Sequence, residues 1–182
     1  MFTDEMKSGS VIFRLCLLRI WGALMFALKM AMASLPNVEP VTCMVILSAL
    51  CFGKDGLLSV FLYVLCEILV WGPGWWNLAY LYIWPALFGL ALLFRKVRSV
   101  WFWAVLASVF GIGFGALCAI PFGLMNGLSA GIAWWQAGLP FDLLHGSANF
   151  MVTLVLFSPL KHLLDQLLDR YAWRFSKKRA VS

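Results

Sequence analysis

The chain has 182 residues, of which 63% are hydrophobic and only 12% are charged, and its net charge is +6. Soluble domains carry roughly 45–50% apolar and about 25% charged residues, so this composition excludes a water-soluble globule of this size. It predicts an integral membrane bundle, and the basic residues, which lie mostly in short loops and the tail, do not indicate a nucleic-acid partner.

Six apolar segments are candidate membrane spans, since a helix needs about 20 residues to cross the hydrocarbon core and fewer where its ends are buried in protein. The second segment is short and the third carries an acid, so these two form either two crossings or a tight helical hairpin. The long stretch PFGLMNGLSAGIAWWQAG is predicted to be an outer loop. The predicted spans are about Val11–Leu35, Val41–Gly53, Leu57–Gly72, Leu78–Phe94, Val100–Phe122 and Phe141–Leu160.

Lysine and arginine are confined to alternate connections. One side carries Lys7, Lys54, the basic run RKVR, Lys161 and the tail, whereas LPNVEP, GPGWWN and the long fifth connection contain neither residue type. Because basic residues in short loops resist translocation, this pattern predicts that both termini are cytoplasmic. Leucines at helical spacing after Lys161 predict that residues 161–182 form a cytoplasmic amphipathic extension of a single six-helix membrane domain over residues 1–182.

Two ionisable residues lie deep within predicted spans, where each costs about 2.5–3.5 kcal/mol on insertion scales and therefore needs a reason. Lys29 is either an ion-pair partner for Glu39, Glu67 or Asp142, or a ligand contact. Glu67 is either neutralised by a basic partner or directed into an outer cavity, and these two interpretations are compatible.

Aromatic and amide side chains are concentrated on the predicted outer side. An aromatic belt is expected at both membrane interfaces, so the excess on one side indicates a ligand pocket lined by rings and a few polar groups. The candidate ligand-binding residues are Asn37, Glu39, Glu67, Trp75, Trp76, Asn77, Tyr80, Trp84, Trp135, Gln136, Asp142, His145 and Asn149.

The stretch GLPFDLLHGSANF places polar residues in an apolar helix. Asp142, His145, Asn149 and Thr153 fall at i, i+3, i+7 and i+11 and share one stripe of the sixth helix. Pro140 predicts that this helix begins just before Asp142, whose carboxylate would lie in the first turn, near the exposed N–H groups. Alternatively, the stripe faces a ligand or a neighbouring helix.

Motifs for catalysis are missing from the sequence. Asp142 and His145 with Glu67 could form part of a metal site, but the second histidine, His162, belongs to the other end of the bundle. The sequence contains no Gly-x-Ser-x-Gly or His-Glu-x-x-His motif and no Gly-x-x-x-x-Gly-Lys-Ser/Thr phosphate loop. We therefore expect no enzymatic activity, no resident metal and no cofactor.

Small residues recur in two helices. Ala23, Ala27 and Ala31, here named the alanine strip, have four-residue spacing in the first span and would let another helix approach closely. We predict that this strip binds a partner. A second strip in the fifth span consists of Gly111, Gly115 and Ala119, and close packing inside the bundle could explain either strip.

The six-span layout, the alanine strip, LPNVEPV and GLPFDLLHGSANF together resemble the substrate-binding (S) component of an energy-coupling-factor vitamin transporter. The resemblance covers nearly the whole chain. It implies a multi-pass protein of a prokaryotic plasma membrane that binds one vitamin or precursor at its outer side and hydrolyses nothing itself. It also implies docking through the alanine strip onto a membrane-embedded coupling subunit, driven by two cytoplasmic ATPase subunits.

The ligand is expected to be bulky, with a flat conjugated part, because rings and amide or carboxylate groups are abundant on the outer side. Cobalamin is the leading expectation, and pyrimidine, flavin or deazapurine vitamins are alternatives. The competing hypothesis is a small structural or regulatory membrane protein that uses the alanine strip for assembly alone.

Overall fold

The computed structural model describes the backbone of residues 2–180 and the side chains of residues 12–170. Regular structure in this part of the chain is entirely helical, which confirms the predicted all-α class. A short 3-10 turn, Gly53–Gly56, follows the second helix. The six helices are α1 (Phe2–Ala31), α2 (Val41–Phe52), α3 (Leu57–Trp71), α4 (Trp75–Leu93), α5 (Val100–Asn126) and α6 (Leu128–Ala180).

Helix α2 occupies the centre of the bundle. Every residue from Val41 to Ala49 is buried, as expected for a helix that is apolar on all sides. It packs against α4 and α6, while α1 packs against α3 and α5 against α6. The short helix is thus enclosed by longer ones, whose outward faces carry exposed residues such as Leu69, Leu93 and Val155.

Four stretches of the described chain are long and apolar enough to cross a membrane: Val41–Trp71, Trp75–Leu93, Val100–Asn126 and Leu128–Arg170. Helix α1 is outside this group, and residues 12–31 of it carry three basic side chains. The number of crossings and the side on which each terminus lies stay predictions.

The first of these stretches folds back on itself. The hydroxyl oxygens of Ser48 and Ser59 are 2.7 Å apart, although a continuous helix would separate residues 11 positions apart by about 16 Å. The chain therefore reverses at Gly53–Gly56 and gives α2 and α3, of 12 and 15 residues. This arrangement agrees with the hairpin alternative for the second and third segments.

The predicted long outer loop is wrong. Helix α5 continues to Asn126, α6 begins at Leu128, and Gly127 alone connects them. Pro140 lies inside α6 and does not begin it. Proline is tolerated within such a helix where neighbouring helices and local adjustments satisfy the freed carbonyl groups, and the Gly- and Ala-rich sequence of the predicted loop is equally typical of membrane helices.

The bundle has two chemically different ends. The basic end carries the turns at 53–56 and 94–99, and Lys161 follows on α6; there Arg14 forms an ion pair of 2.9 Å with Asp55. The aromatic end carries the connections at 32–40, 72–74 and 127. Helix α6 continues without a break past Lys161, in agreement with a helical extension, but the side chains of Lys7 and of residues beyond Arg170 lie outside the described residues.

Candidate functional site

A cavity of about 560 Å³ lies at the aromatic end. The connection between α1 and α2 forms one wall, the ends of α1, α3 and α4 form others, and α5 and α6 contribute Phe114 and His145. Just over half of the predicted ligand-binding residues line this cavity: Asn37, Glu39, Glu67, Trp76, Tyr80, Trp84 and His145.

The wall between α1 and α2 is shaped by the sequence LPNVEP. Pro36 and Pro40 cannot continue helix α1, and Asn37 adopts a positive φ of 58°, a conformation that asparagine tolerates better than most residues. This local geometry lets Glu39 line the cavity just before α2 begins at Val41.

Lys29 and Glu67 form an ion pair at the cavity wall. The Lys29 Nζ is 2.9 Å from Oε1 of Glu67, and it also donates hydrogen bonds to the hydroxyls of Tyr63 at 3.3 Å and Tyr80 at 3.5 Å. The Glu67 side chain is only 3% exposed. Of the alternatives that the sequence left open for Lys29, pairing with Glu67 is the observed one, and both residues also line the cavity.

Glu39 and His145 face each other across a wider gap. Nε2 of His145 is 3.5 Å from Oε1 of Glu39, and neither atom has a hydrogen-bond partner among the described residues. Phe114 packs edge-on against the His145 ring at 5.0 Å between centroids. The indole N–H of Trp84 is also buried without a partner in this part of the chain. These are polar groups with unused bonding capacity at the edge of an open volume.

Aromatic rings hold that volume open. Trp84 is the centre of the group, with centroid distances of 5.8 Å to Tyr63, 5.7 Å to Tyr80 and 5.5 Å to Phe114. Their tilted and edge-on arrangement is the one that aromatic pairs favour, and it makes a stiff wall. Trp71 and Trp76 line the same cavity.

Two predicted site residues instead stabilise the aromatic end. Trp75 packs against Phe122 at 5.4 Å and Trp134 at 5.1 Å, which joins α4 to the α5–α6 hairpin. The Asn77 Oδ1 accepts a hydrogen bond of 2.7 Å from the backbone N–H of Gly74 and thereby caps helix α4. Neither lines the cavity, and Trp135 and Gln136 are exposed on α6, also outside it.

The polar stripe of α6 faces neighbouring helices along most of its length. Oδ1 of Asp142 accepts a hydrogen bond of 3.0 Å from the backbone N–H of Gly115 on α5, so the predicted position of Asp142 in a first turn is wrong. The Asn149 Nδ2 donates to the hydroxyl of Thr42 on α2 at 3.1 Å. Only His145 reaches the cavity.

The two small-residue strips differ in their surroundings. Ala23, Ala27 and Ala31 are all exposed on the outer face of α1, so the alanine strip is free of contacts that would bury it within the described bundle. A Cβ atom added to Gly111 would lie 2.8 Å from Nδ2 of Asn149, so the glycine strip is explained by close packing of α5 on α6.

Residues at and beside the cavity were also missed. Tyr63 does not line the cavity itself, but it lies one turn before Glu67 on α3 and accepts a hydrogen bond from the same lysine, so i, i+4 spacing from Glu67 could have identified it. Phe114 gave no such signal, because one phenylalanine among many on an apolar helix does not reveal the face on which it lies.

Among residues 12–170, no three His, Cys, Asp or Glu side chains lie close enough together to hold a metal ion. Comparison with family models, with curated proteins and with solved structures finds no match for this chain.

Proposed function

We propose that this chain is the small-molecule-capturing subunit of a membrane transporter, similar to the S component of an energy-coupling-factor vitamin transporter. The observation that carries the proposal is the ring-lined cavity of about 560 Å³, whose wall holds Glu39, His145 and the Trp84 N–H with unused hydrogen-bonding capacity. A concave apolar pocket with a few convergent polar groups is the usual form of a small-molecule site.

Placement in a prokaryotic plasma membrane is part of this proposal. The four long apolar stretches and the exposed apolar side chains on the bundle's outer faces support it, because soluble monomers rarely expose large contiguous apolar patches. The basic residues at one end support a cytoplasmic position for that end, and the aromatic end with its cavity would then open outside the cell.

The cavity volume favours the smaller of the ligands considered. Drug-sized ligands occupy pockets of about 300–1,000 Å³, and a single flat ring system of the pyrimidine, flavin or deazapurine kind fits this range. Cobalamin, with its corrin ring, peripheral amides and nucleotide tail, would leave much of its surface outside the cavity.

Delivery of the ligand would require partners. The exposed alanine strip on α1 offers a flat surface to a membrane-embedded coupling subunit, and two cytoplasmic ATPase subunits would supply the energy. In this proposal the chain captures and presents its ligand and carries out no chemistry on it.

Native mass spectrometry of the protein purified from its own host tests the capture function. We expect a retained small molecule in the wild type and its loss in Ala33→Trp, because Ala33 is an exposed residue that lines the cavity. Val155→Trp, on the apolar outer face of α6, is the matched control and should retain the molecule. Absence of any retained molecule from a folded wild type would sink the proposal.

The assembly-only function is the second candidate, and exposure of the alanine strip favours it. It predicts that Ala27→Leu disrupts a complex isolated from cells while Ala33→Trp changes nothing. The capture function predicts that the two variants impair different steps, association and ligand retention respectively.

A further inference from the structure

The polar groups of the cavity differ in how much bonding capacity they have left, and this difference restricts the ligand. The inference drawn from it rests on the proposed capture function and concerns the chemical class of what is captured.

Among the described residues, Lys29 alone brings an ammonium group to the cavity, and that group already lies among three oxygen acceptors. A lysine side chain has three N–H donors, and the Lys29 Nζ has three acceptors around it: the Glu67 carboxylate, the Tyr63 hydroxyl and the Tyr80 hydroxyl. A ligand carboxylate or phosphate would have to displace one of these acceptors, and displacing Glu67 would leave a buried carboxylate without its counter-charge. Lys29 is therefore poorly suited to receive an anion.

The carboxylate of Glu39, in contrast to the Lys29 ammonium group, has unused hydrogen-bonding capacity. It is 12% exposed and accepts no hydrogen bond from the described residues, and its nearest partner is His145 Nε2 at 3.5 Å. An ionised carboxylate has room for about four hydrogen bonds, so Glu39 offers several acceptor sites to a donor that enters the cavity. It lies on the wall that the α1–α2 connection forms.

Trp84 supplies the complementary group. Its indole N–H is a donor without a partner among the described residues, its side chain is nearly fully buried, and it lines the cavity. The lining residues described include two carboxylates and one lysine. The aromatic rings around them favour a flat group that is electron-poor or cationic.

We infer that the cavity takes a flat nitrogen-containing ring bearing an amino or amidine group, which donates to Glu39, while an acceptor atom of the same ring system faces the Trp84 N–H. Flat acids of the same size are disfavoured, because their carboxylate would lie near those of Glu39 and Glu67, and the one lysine that opposes this charge already contacts three oxygen acceptors. The Trp84 N–H is a neutral donor and does not offset the repulsion between like charges.

Matched pairs of compounds test this class directly. The probes are benzamidine against benzoate, 4-aminopyridine against isonicotinate, and 2-aminobenzimidazole against benzimidazole-2-carboxylate, added to the detergent-purified protein in thermal unfolding and calorimetric titration. We expect the nitrogen-donor member of at least one pair to raise the unfolding temperature and its acid partner to leave it unchanged. Stabilisation by the acids, or by neither member of any pair, overturns the inference.

Two variants connect the binding to the named atoms. Glu39→Gln keeps the shape of the side chain but removes its charge, and Trp84→Phe keeps a ring but removes the N–H; each should weaken binding of the preferred probe about tenfold. Asp165→Asn at the basic end and Trp103→Phe, whose indole donates to the carbonyl of Val97, are the controls and should bind as the wild type does. Equal binding by Glu39→Gln would remove Glu39 from the site.

The two proposals fail differently. If a host molecule is retained in native mass spectra but the nitrogen-donor probes do not bind, capture stands and the ligand class is wrong. If no host molecule is retained and no probe binds, both are wrong.

Discussion

Two groups of polar side chains lie inside this apolar bundle, and they are used differently. The cavity cluster, Lys29, Glu39, Glu67 and His145, borders an open volume, and part of its bonding capacity is unused. The interhelical cluster, Thr42, Asp142 and Asn149, lies at helix contacts, where Asp142 Oδ1 and Asn149 Nδ2 bond to other helices and the cavity does not adjoin the atoms that are left without a partner among the described residues, Asp142 Oδ2 and Asn149 Oδ1. Polarity within the sequence therefore does not distinguish a binding group from a packing group.

The size of the neighbouring residues determines whether a polar side chain contacts another helix or borders the cavity. Around the interhelical cluster, Gly111, Gly115 and Gly146 let the backbones of α5 and α6 approach, so polar side chains reach backbone groups directly. Around the cavity cluster, Trp84 and Tyr80 and the proline-bounded connection hold the helices apart. Small residues close the first region and large rings keep the second open.

The largest expected loss of stability comes from a change at the contact between α5 and α6. Gly115→Val would place a side chain where the Asp142 carboxylate lies, so we expect destabilisation by about 3 kcal/mol from overpacking and loss of the hydrogen bond. Gly113→Val is the control, since nothing lies within 4 Å of an added Cβ there. Unfolding in mixed detergent measures both, and equal stability of the two variants would contradict the account of this contact.

The next effect concerns the ion pair at the cavity. Lys29→Met leaves the Glu67 carboxylate buried without its counter-charge, and we expect a loss of about 2 kcal/mol in the free energy of unfolding. The double variant Lys29→Met/Glu67→Gln removes both charges and should recover most of that loss. A double-mutant cycle by chemical unfolding measures the coupling, and strictly additive effects would show that the pair contributes nothing.

A smaller effect is expected in the centre of the bundle. Asn149→Ala removes the hydrogen bond to Thr42 and should lower the free energy of unfolding by about 1–2 kcal/mol. Asn126→Ala is the comparison, because Asn126 is exposed and bonds only to Phe122 of its own helix. Similar losses in both variants would show that the buried bond adds no stability.

The smallest effect is expected at the alanine strip. Ala27 is exposed, so Ala27→Leu should change the stability of the isolated chain by less than about 0.5 kcal/mol. Ile20 and Leu24 on the same helix are already exposed, so apolar side chains of this size are tolerated on the surface of α1. Chemical unfolding in detergent measures the change, and a large loss of stability would show that the strip packs within the bundle.

Periodicity and charge predicted much of the fold. The breakers GKDG and RKVRS fall at observed connections, because glycine and clustered charge are unfavourable inside an apolar helix. The prediction of a long loop at the fifth connection was wrong because Gly, Ala and Pro indicate a loop in a soluble protein but are tolerated in helices that are surrounded by apolar neighbours. Local sequence could not reveal that α5 supports residues 128–140 of α6.

The site was only partly predictable for a related reason. Glu39, Glu67 and His145 were identified because a charged or titratable residue in an apolar segment is conspicuous. Asp142 and Asn149 were equally conspicuous, but the α5 glycines that approach them, Gly115 and Gly111, are distant in the sequence; Gly115 precedes Asp142 by 27 residues. Only the packed structure shows which polar residues retain space.

The one-residue connection at Gly127 has a consequence for biogenesis. With Gly127 alone between them, α5 and α6 cannot be separated by more than the span of a single residue at that end. Because of this short connection, one helix could not enter a bilayer while the other stayed at its surface. In a bilayer the two helices would therefore be placed as one hairpin.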